Sequence, residues 1–250
     1  RDNIIGICGE FFGTVLFLLF AFAGTQTAYL HSPPVENRVG APANTSTLLY
    51  IALSFGFSLA VSAGIFFRIS GGLFNPAVTF GLVLVRAMPP IRGALLVVVQ
   101  LVGGIVAAAL VSALLPGPLT VGTSLGGGTS VARGLFIEMF LTSFLLLTVF
   151  FLAIERQRAT FIAPVGFGLA LFVAMLAGAY FTGASLNPAR SFGPCVVMGN
   201  FQGYHWIYWV GPGLGSIASA GFYKLMKLLG YETANVGQHG PEIEMAASTV

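Results

Sequence analysis

Leu186-Asn187-Pro188-Ala189-Arg190-Ser191 repeats, with small changes, an earlier stretch, Phe74-Asn75-Pro76-Ala77-Val78-Thr79. Asn followed by Pro is a good helix start. The Asn side chain can cap the first free amides, and Pro at the first helical position removes no donor that the helix needs. One such triplet is explained by capping alone. Two copies, each behind a Gly-containing turn and inside a very apolar chain, require more. Interrupted apolar segments at matching places in two halves of a chain point to a membrane site built from half-helices.

Composition agrees with a membrane setting. The chain has 250 residues, 56% hydrophobic and 8% charged, whereas soluble domains are about 25% charged. The apolar excess runs the whole length, which predicts a polytopic helical membrane protein with the lipid bilayer as its surroundings. The 33 glycines suit close helix contact in lipid. A net charge of +3, small and dispersed, gives no basis for nucleic acid as a partner. Cys8 and Cys195 fall in separate apolar segments, so no disulfide framework is expected. The first apolar stretch is too long for a cleavable signal peptide and lacks a processing site.

Taken in order, residues 4–29 form a span carrying one acid, Glu10, about one turn inside, and residues 31–47 read as a polar loop. Residues 48–67 form a second span, and Gly71-Gly72 then leads to Asn75. The apolar stretch that follows ends near Val85; at about 1.5 Å per residue it falls well short of a hydrocarbon core of roughly 30 Å. This is a half-helix. Residues 92–115 form the third span. The plan then repeats: a span at 131–154 with Glu138 one turn inside, a span at 161–181, a half-helix from Asn187 to about Met198, and a span at 204–229.

The expected fold class is therefore an all-α membrane protein, with six transmembrane helices plus two re-entrant half-helices. It reads as a single channel domain over 1–250, with repeat one at 4–115, repeat two at 131–229 and a polar tail at 230–250. Three spans per repeat make the second repeat inverted. Orientation follows Lys and Arg. One side holds Arg1, Arg68, Arg86, Arg92, Arg156, Arg158, Lys224 and Lys227; the other holds only Arg38 and Arg133. Both termini are therefore expected to be cytoplasmic. Asn44-Thr45-Ser46 falls on the opposite side, as a candidate glycosylation acceptor at Asn44.

Inverted repeats bring the half-helices in from opposite faces. Each helix start carries about half a positive charge and free backbone donors. Asn75 and Asn187 would add amide donors near the midplane, while residues 71–74 and 182–186 would supply carbonyl acceptors. Non-helical backbone at that depth is tolerated only beside a wet cavity. Donors in the middle, acceptors along one side and apolar walls suit a small neutral solute, and the positive potential opposes cations and protons.

These residues identify a resemblance to the aquaporin (major intrinsic protein) family, carried by Ser70-Gly71-Gly72-Leu73-Phe74-Asn75-Pro76-Ala77-Val78-Thr79 and by residues 182–194, and extending from Gly9-Glu10-Phe11-Phe12-Gly13-Thr14 to Trp206-Ile207-Tyr208-Trp209-Val210-Gly211-Pro212. The resemblance implies a pore in each subunit and a homotetramer. It implies an aromatic/arginine filter at Phe55, Met175, Ala184 and Arg190. Water-selective members usually have His where this chain has Met175, a flexible side chain with only a weak acceptor. Ser191 and the pair Tyr208-Trp209 match the water class rather than the glycerol class. Ala184 stands where several members carry a mercury-sensitive Cys, so no mercury inhibition is expected there, although Cys195 could still react.

Glu10 and Glu138 allow two readings: a proton relay, as for many intramembrane acids, or carboxylates that brace the loops by accepting backbone N–H bonds. Gln100, in mid-span, has the same bracing reading. His31, His205 and His239 are scattered, so no metal site is expected; His31 is open to a pH-sensing reading. The expected function is passive, single-file water conduction that excludes protons, in the plasma membrane, with no cofactor. The alternative is a broader channel for glycerol or hydrogen peroxide. A secondary transporter also uses broken helices, but it needs midplane ionisable groups, of which only Arg190, Glu10 and Glu138 are available. A mainly structural, junction-forming role stays open. No nucleophile–base set suggests an enzyme.

Overall fold

In lipid, every backbone N–H and C=O must find its partner within the protein, which leaves helices as the form of choice for these apolar stretches. The computed structural model describes residues 1–30, 32–155 and 159–234. The long helices are α1 (Asp2–Ala28), α2 (Thr45–Phe66), α4 (Pro90–Leu114), α5 (Val131–Val149), α6 (Ala163–Thr182) and α8 (Ile207–Leu228), with short helices α3 (Pro76–Leu84) and α7 (Pro188–Met198) between them. Five of the long helices are apolar enough to cross a membrane by composition and length. The sixth, α8, has 22 residues but carries Lys224 and Lys227 near its end. The six spans and two half-helices are as the spacing predicts.

Helix packing follows the repeat. α1 packs on α2 and α4 as α5 packs on α6 and α8; α3 packs on α8 as α7 packs on α4; and α2 meets α6 on the pseudo-twofold axis. That axis needs glycine. A Cβ on Gly168 would stand 2.4 Å from the Gly56 carbonyl oxygen, and one on Gly56 would stand 2.9 Å from that of Gly168. Small residues at such crossings let backbones touch in the absence of a hydrophobic drive.

Several details at the ends of elements differ from the sequence reading. The end of the fourth span is a π-helical turn, Phe150–Ile154. The wider turn buries Phe150 fully and brings Glu155 to the Tyr223 hydroxyl and, at 3.2 Å, to Lys227. α6 begins at Ala163 after a 3-10 turn, with Pro164 in its first turn, where the missing N–H costs no helical hydrogen bond. Residues 202–206 form successive turns before α8 starts at Ile207. The first residues of the predicted tail are ordered: Tyr231–Thr233 is a short 3-10 turn, with the Tyr231 ring 5.5 Å from that of Phe151. Residues 235–250, His31, His239, Arg156 and Arg158 lie outside the described residues, and with them most of the tail, the pH-sensing reading and part of the charge argument.

Candidate functional site: two half-helix tips and the cavity between them

The approach to each half-helix is backbone in an uncommon conformation. Before Asn75, positive φ occurs at Gly71 (106°), Gly72 (66°) and Phe74 (51°); before Asn187 it occurs at Gly183 (80°), Ala184 (43°) and Leu186 (53°). For Phe74, Ala184 and Leu186 this costs on the order of 1–3 kcal/mol each and must be held by the surroundings. The same contortion at matching places in both repeats delivers each Asn to the centre.

There the two Asn residues cap their own helices and hold each other's loops. Asn75 Oδ1 accepts from Ala77 N at 2.8 Å, and Asn187 Oδ1 accepts from Ala189 N at 2.9 Å. Asn75 Nδ2 donates across to the Leu186 carbonyl at 2.9 Å, and Asn187 Nδ2 donates to the Phe74 carbonyl at 2.8 Å. Pro76 and Pro188 open the helices, and Ala77 and Ala189 follow, buried, in the first turn. An amide NH2 has two donors. One donor of each Asn is therefore committed, and one is left for a solute.

Behind the loops lie the two acids, both fully buried. Glu10 accepts from Ser70 Oγ (2.6 Å), Leu73 N (3.1 Å), Phe74 N (2.7 Å) and Gln100 Nε2 (2.8 Å). Glu138 accepts from Thr182 Oγ1 (2.7 Å), Ser185 N (2.8 Å) and Leu186 N (2.8 Å). Gln100 also donates to Thr79 Oγ1 at 2.9 Å, which ties the first loop to α3. In the second repeat hydroxyls do this work: Ser191 Oγ lies 2.6 Å from Ser185 Oγ and accepts from Thr123 Oγ1 at 2.8 Å. Neither acid is among the residues lining the cavity described next.

A cavity of about 220 Å³ runs from Phe67, Met88 and Ile154, past Asn75 and Asn187, to Phe55 and Arg190. Its walls are mostly apolar, with Gly71, Gly72, Leu73 and Ser185 along one side. The carbonyls of Phe74, Leu186 and Thr182 each already accept one hydrogen bond, from Asn187, Asn75 and the Tyr208 hydroxyl.

At the far end Arg190 is 3% exposed. Its Nη1 donates to the Val121 carbonyl at 2.6 Å, while Nε is buried and has no partner among the described residues. Its Cζ lies 5.0 Å from the Phe55 ring centre and 5.5 Å from that of Phe22. The cavity thus brings together Phe55, Asn75, Asn187 and Arg190. Met175 and Ala184 are buried nearby but are not among its lining residues. Asn44 is exposed, away from the site, and caps α2 by accepting from Thr47 N at 3.1 Å. Cys195 is buried and Cys8 exposed. The Cys195 sulfur lies 3.5 Å from His205 Nδ1, and burial holds the His205 imidazole below its ordinary pKa range.

Sequence reasoning missed Phe22, Val121 and the Ser185–Ser191–Thr123 hydroxyl chain. Phe22 sits as far along from Glu10 as Phe150 does from Glu138, and that repeat register was the available signal. Val121 acts through its backbone and left none.

Six spans enclosing two half-helices that hold each other at the midplane, with a cavity passing between the tips, define the architecture of a transmembrane channel. The major intrinsic protein family matches the chain over residues 2–223. The chain belongs to that family, whose members are channels and not enzymes. It is 62% identical over 239 residues to Aquaporin-7 of Botryotinia fuckeliana (95% of this chain, 53% of that one). It is 52% identical over 244 residues to Aquaporin-1 of Gibberella zeae (98% and 76%), and 55% identical over 242 residues to Aquaporin-5 of Botryotinia fuckeliana (96% and 45%). The chain thus spans about half the length of two of these relatives. An X-ray structure of the aquaglyceroporin from Plasmodium falciparum superposes with a TM-score of 0.69 at 21% identity, covering 88% of this chain and 95% of that one, a likeness of fold.

Proposed function

We propose that this chain is a passive water channel that conducts in single file and excludes protons. The observation that carries the reading is the placement of fixed donors in an apolar cavity: one uncommitted N–H on each of Asn75 and Asn187, with the Arg190 guanidinium lining the far end. A water that accepts from both Asn amides through its oxygen must turn its hydrogens outward to its neighbours. The proton wire is then broken at the midplane. The two half-helix N-termini and Arg190 add positive potential, which raises the energy of a hydrated proton or a cation. A neutral solute meets no such barrier. In this reading Phe55 and Arg190 form the narrow end, with Met175 and Ala184 packed behind them, and Glu10, Gln100 and Glu138 hold the loops rather than relay protons.

A second reading, a broader channel for glycerol or hydrogen peroxide, is favoured by one feature: no His side chain stands at Met175 to add a donor and narrow the passage. Water is the first choice because Phe55 and the Arg190 guanidinium approach within 5.0 Å. The homotetramer, the plasma membrane, cytoplasmic termini and a glycan on Asn44 belong to the same proposal. Family resemblance supports the tetramer, and the distribution of Lys and Arg supports the orientation.

Stopped-flow light scattering on proteoliposomes separates the two readings. Water efflux well above that of empty vesicles, with glycerol and peroxide uptake near the empty-vesicle rate, is the expected result. Equal enhancement of glycerol and water would favour the second reading.

A further inference from the structure

We propose that Phe22, from the first helix, sets selectivity by positioning Arg190; this rests on the channel reading above. The guanidinium has five donors, yet among the described residues its one hydrogen bond is from Nη1 to the Val121 carbonyl. A fork held at a single point can pivot about it. Two rings prevent that. Phe22 and Phe55 both lie against Cζ, at 5.5 and 5.0 Å, and they brace each other edge to face, with centroids 6.4 Å apart at 73°. Both are fully buried, so neither can yield outward.

The support for Phe22 is itself fixed to the Val121 loop. One turn further along α1, Gln26 Nε2 donates to the Pro118 carbonyl at 2.8 Å, and Gln26 Oε1 accepts from Thr120 N and Thr120 Oγ1, both at 2.9 Å. The ring of Phe22 and the carbonyl of Val121 therefore belong to one locked unit, α1 with its loop, and the guanidinium sits against both. Phe22 is thus a positioning residue. Without its ring face the guanidinium turns about its Val121 bond, the passage beside Phe55 widens, and solutes larger than water enter.

The test compares wild type with Phe22→Met and Phe22→Tyr in proteoliposomes, reading the ratio of glycerol to water permeability. Met keeps the apolar volume without a ring face, whereas Tyr keeps the face. The expected result is a ratio raised roughly tenfold in Phe22→Met and restored to within about twofold of wild type in Phe22→Tyr. An unchanged ratio in Phe22→Met with normal water flux overturns the proposal, because volume alone would then suffice. A raised ratio in both variants also overturns it. Should Phe22→Met fail to assemble, Gln26→Ala, which frees the loop and leaves the ring, is expected to raise the ratio by a smaller factor, and no rise there is likewise fatal. Wild-type vesicles that pass no water sink the channel reading itself, an outcome visible before any variant is compared.

Discussion

At the far half of the cavity Arg190 follows Asn187-Pro188-Ala189 and lies against Phe22 and Phe55. At the half nearer Met88 and Ile154, the residues in register are Val78, Phe150 and Phe167. Val78 and Phe167 line the cavity, and Phe150 packs on Tyr223 at 5.4 Å. Gly72 stands where the far half has Ala184, and Ala63 where it has Met175. The loop geometry, the caps and the buried acids are common to both halves, so the frame is symmetric. The chemistry placed on it is not. The near half carries smaller, uncharged residues, and the far half carries a positive charge against two aromatic rings. Symmetry builds the frame, and in the proposed reading the departures from symmetry make one end selective.

The largest expected effect comes from breaking what the halves share. Glu10→Ala and Glu138→Ala each strand several buried donors, at about 1–3 kcal/mol apiece. The thermal midpoint in detergent is expected to fall on the order of 10 °C in each. A midpoint within a degree or two of wild type would remove the bracing role. Next, Arg190→Val makes the far half resemble the near one. Glycerol permeability is expected to rise at least tenfold toward the rate of a wide pore, and a pH-sensitive dye should report a proton leak. If glycerol stays excluded, the narrow end lies elsewhere.

Met175→His should do less. Met175 is buried and is not among the residues lining the cavity, so the substitution is expected to change the glycerol-to-water ratio by no more than about threefold. A change as large as that of Arg190→Val would place residue 175 on the wall. The smallest effect concerns His205, outside the spans. Burial lowers its folded pKa, so the unfolded chain takes up a proton near pH 6.5 while the folded one resists. Stability is then full above about pH 6.5 and declines as pH falls below it. His205→Gln should flatten that decline in thermal scans between about pH 7 and 5. An identical slope in both proteins would exclude His205 as its source.

The fold was largely legible because its signals are long and local. Spans show as apolar runs, half-helices as runs too short to cross, and Asn-Pro as a cap, each set by the nearest few residues. The narrow end was legible only in part. Counting from Asn187 gives the register of Met175 along α6, but α6 is apolar on every side, so periodicity cannot show which residues face the cavity. Phe22 was hidden for the same reason, as one Phe in an apolar helix. The π turn before Glu155 depends on Tyr223 and Lys227, far along the chain, and no local pattern announces it.

The central claim is that the capped half-helix tips bound a passage for water. Its most direct test is the osmotic water permeability of wild-type proteoliposomes, measured by stopped flow over a range of temperatures. The account predicts shrinkage much faster than in protein-free vesicles, with a temperature dependence clearly weaker than that of bare lipid, because water need not dissolve in the hydrocarbon. Shrinkage at the protein-free rate, with the bare-lipid temperature dependence, would contradict it.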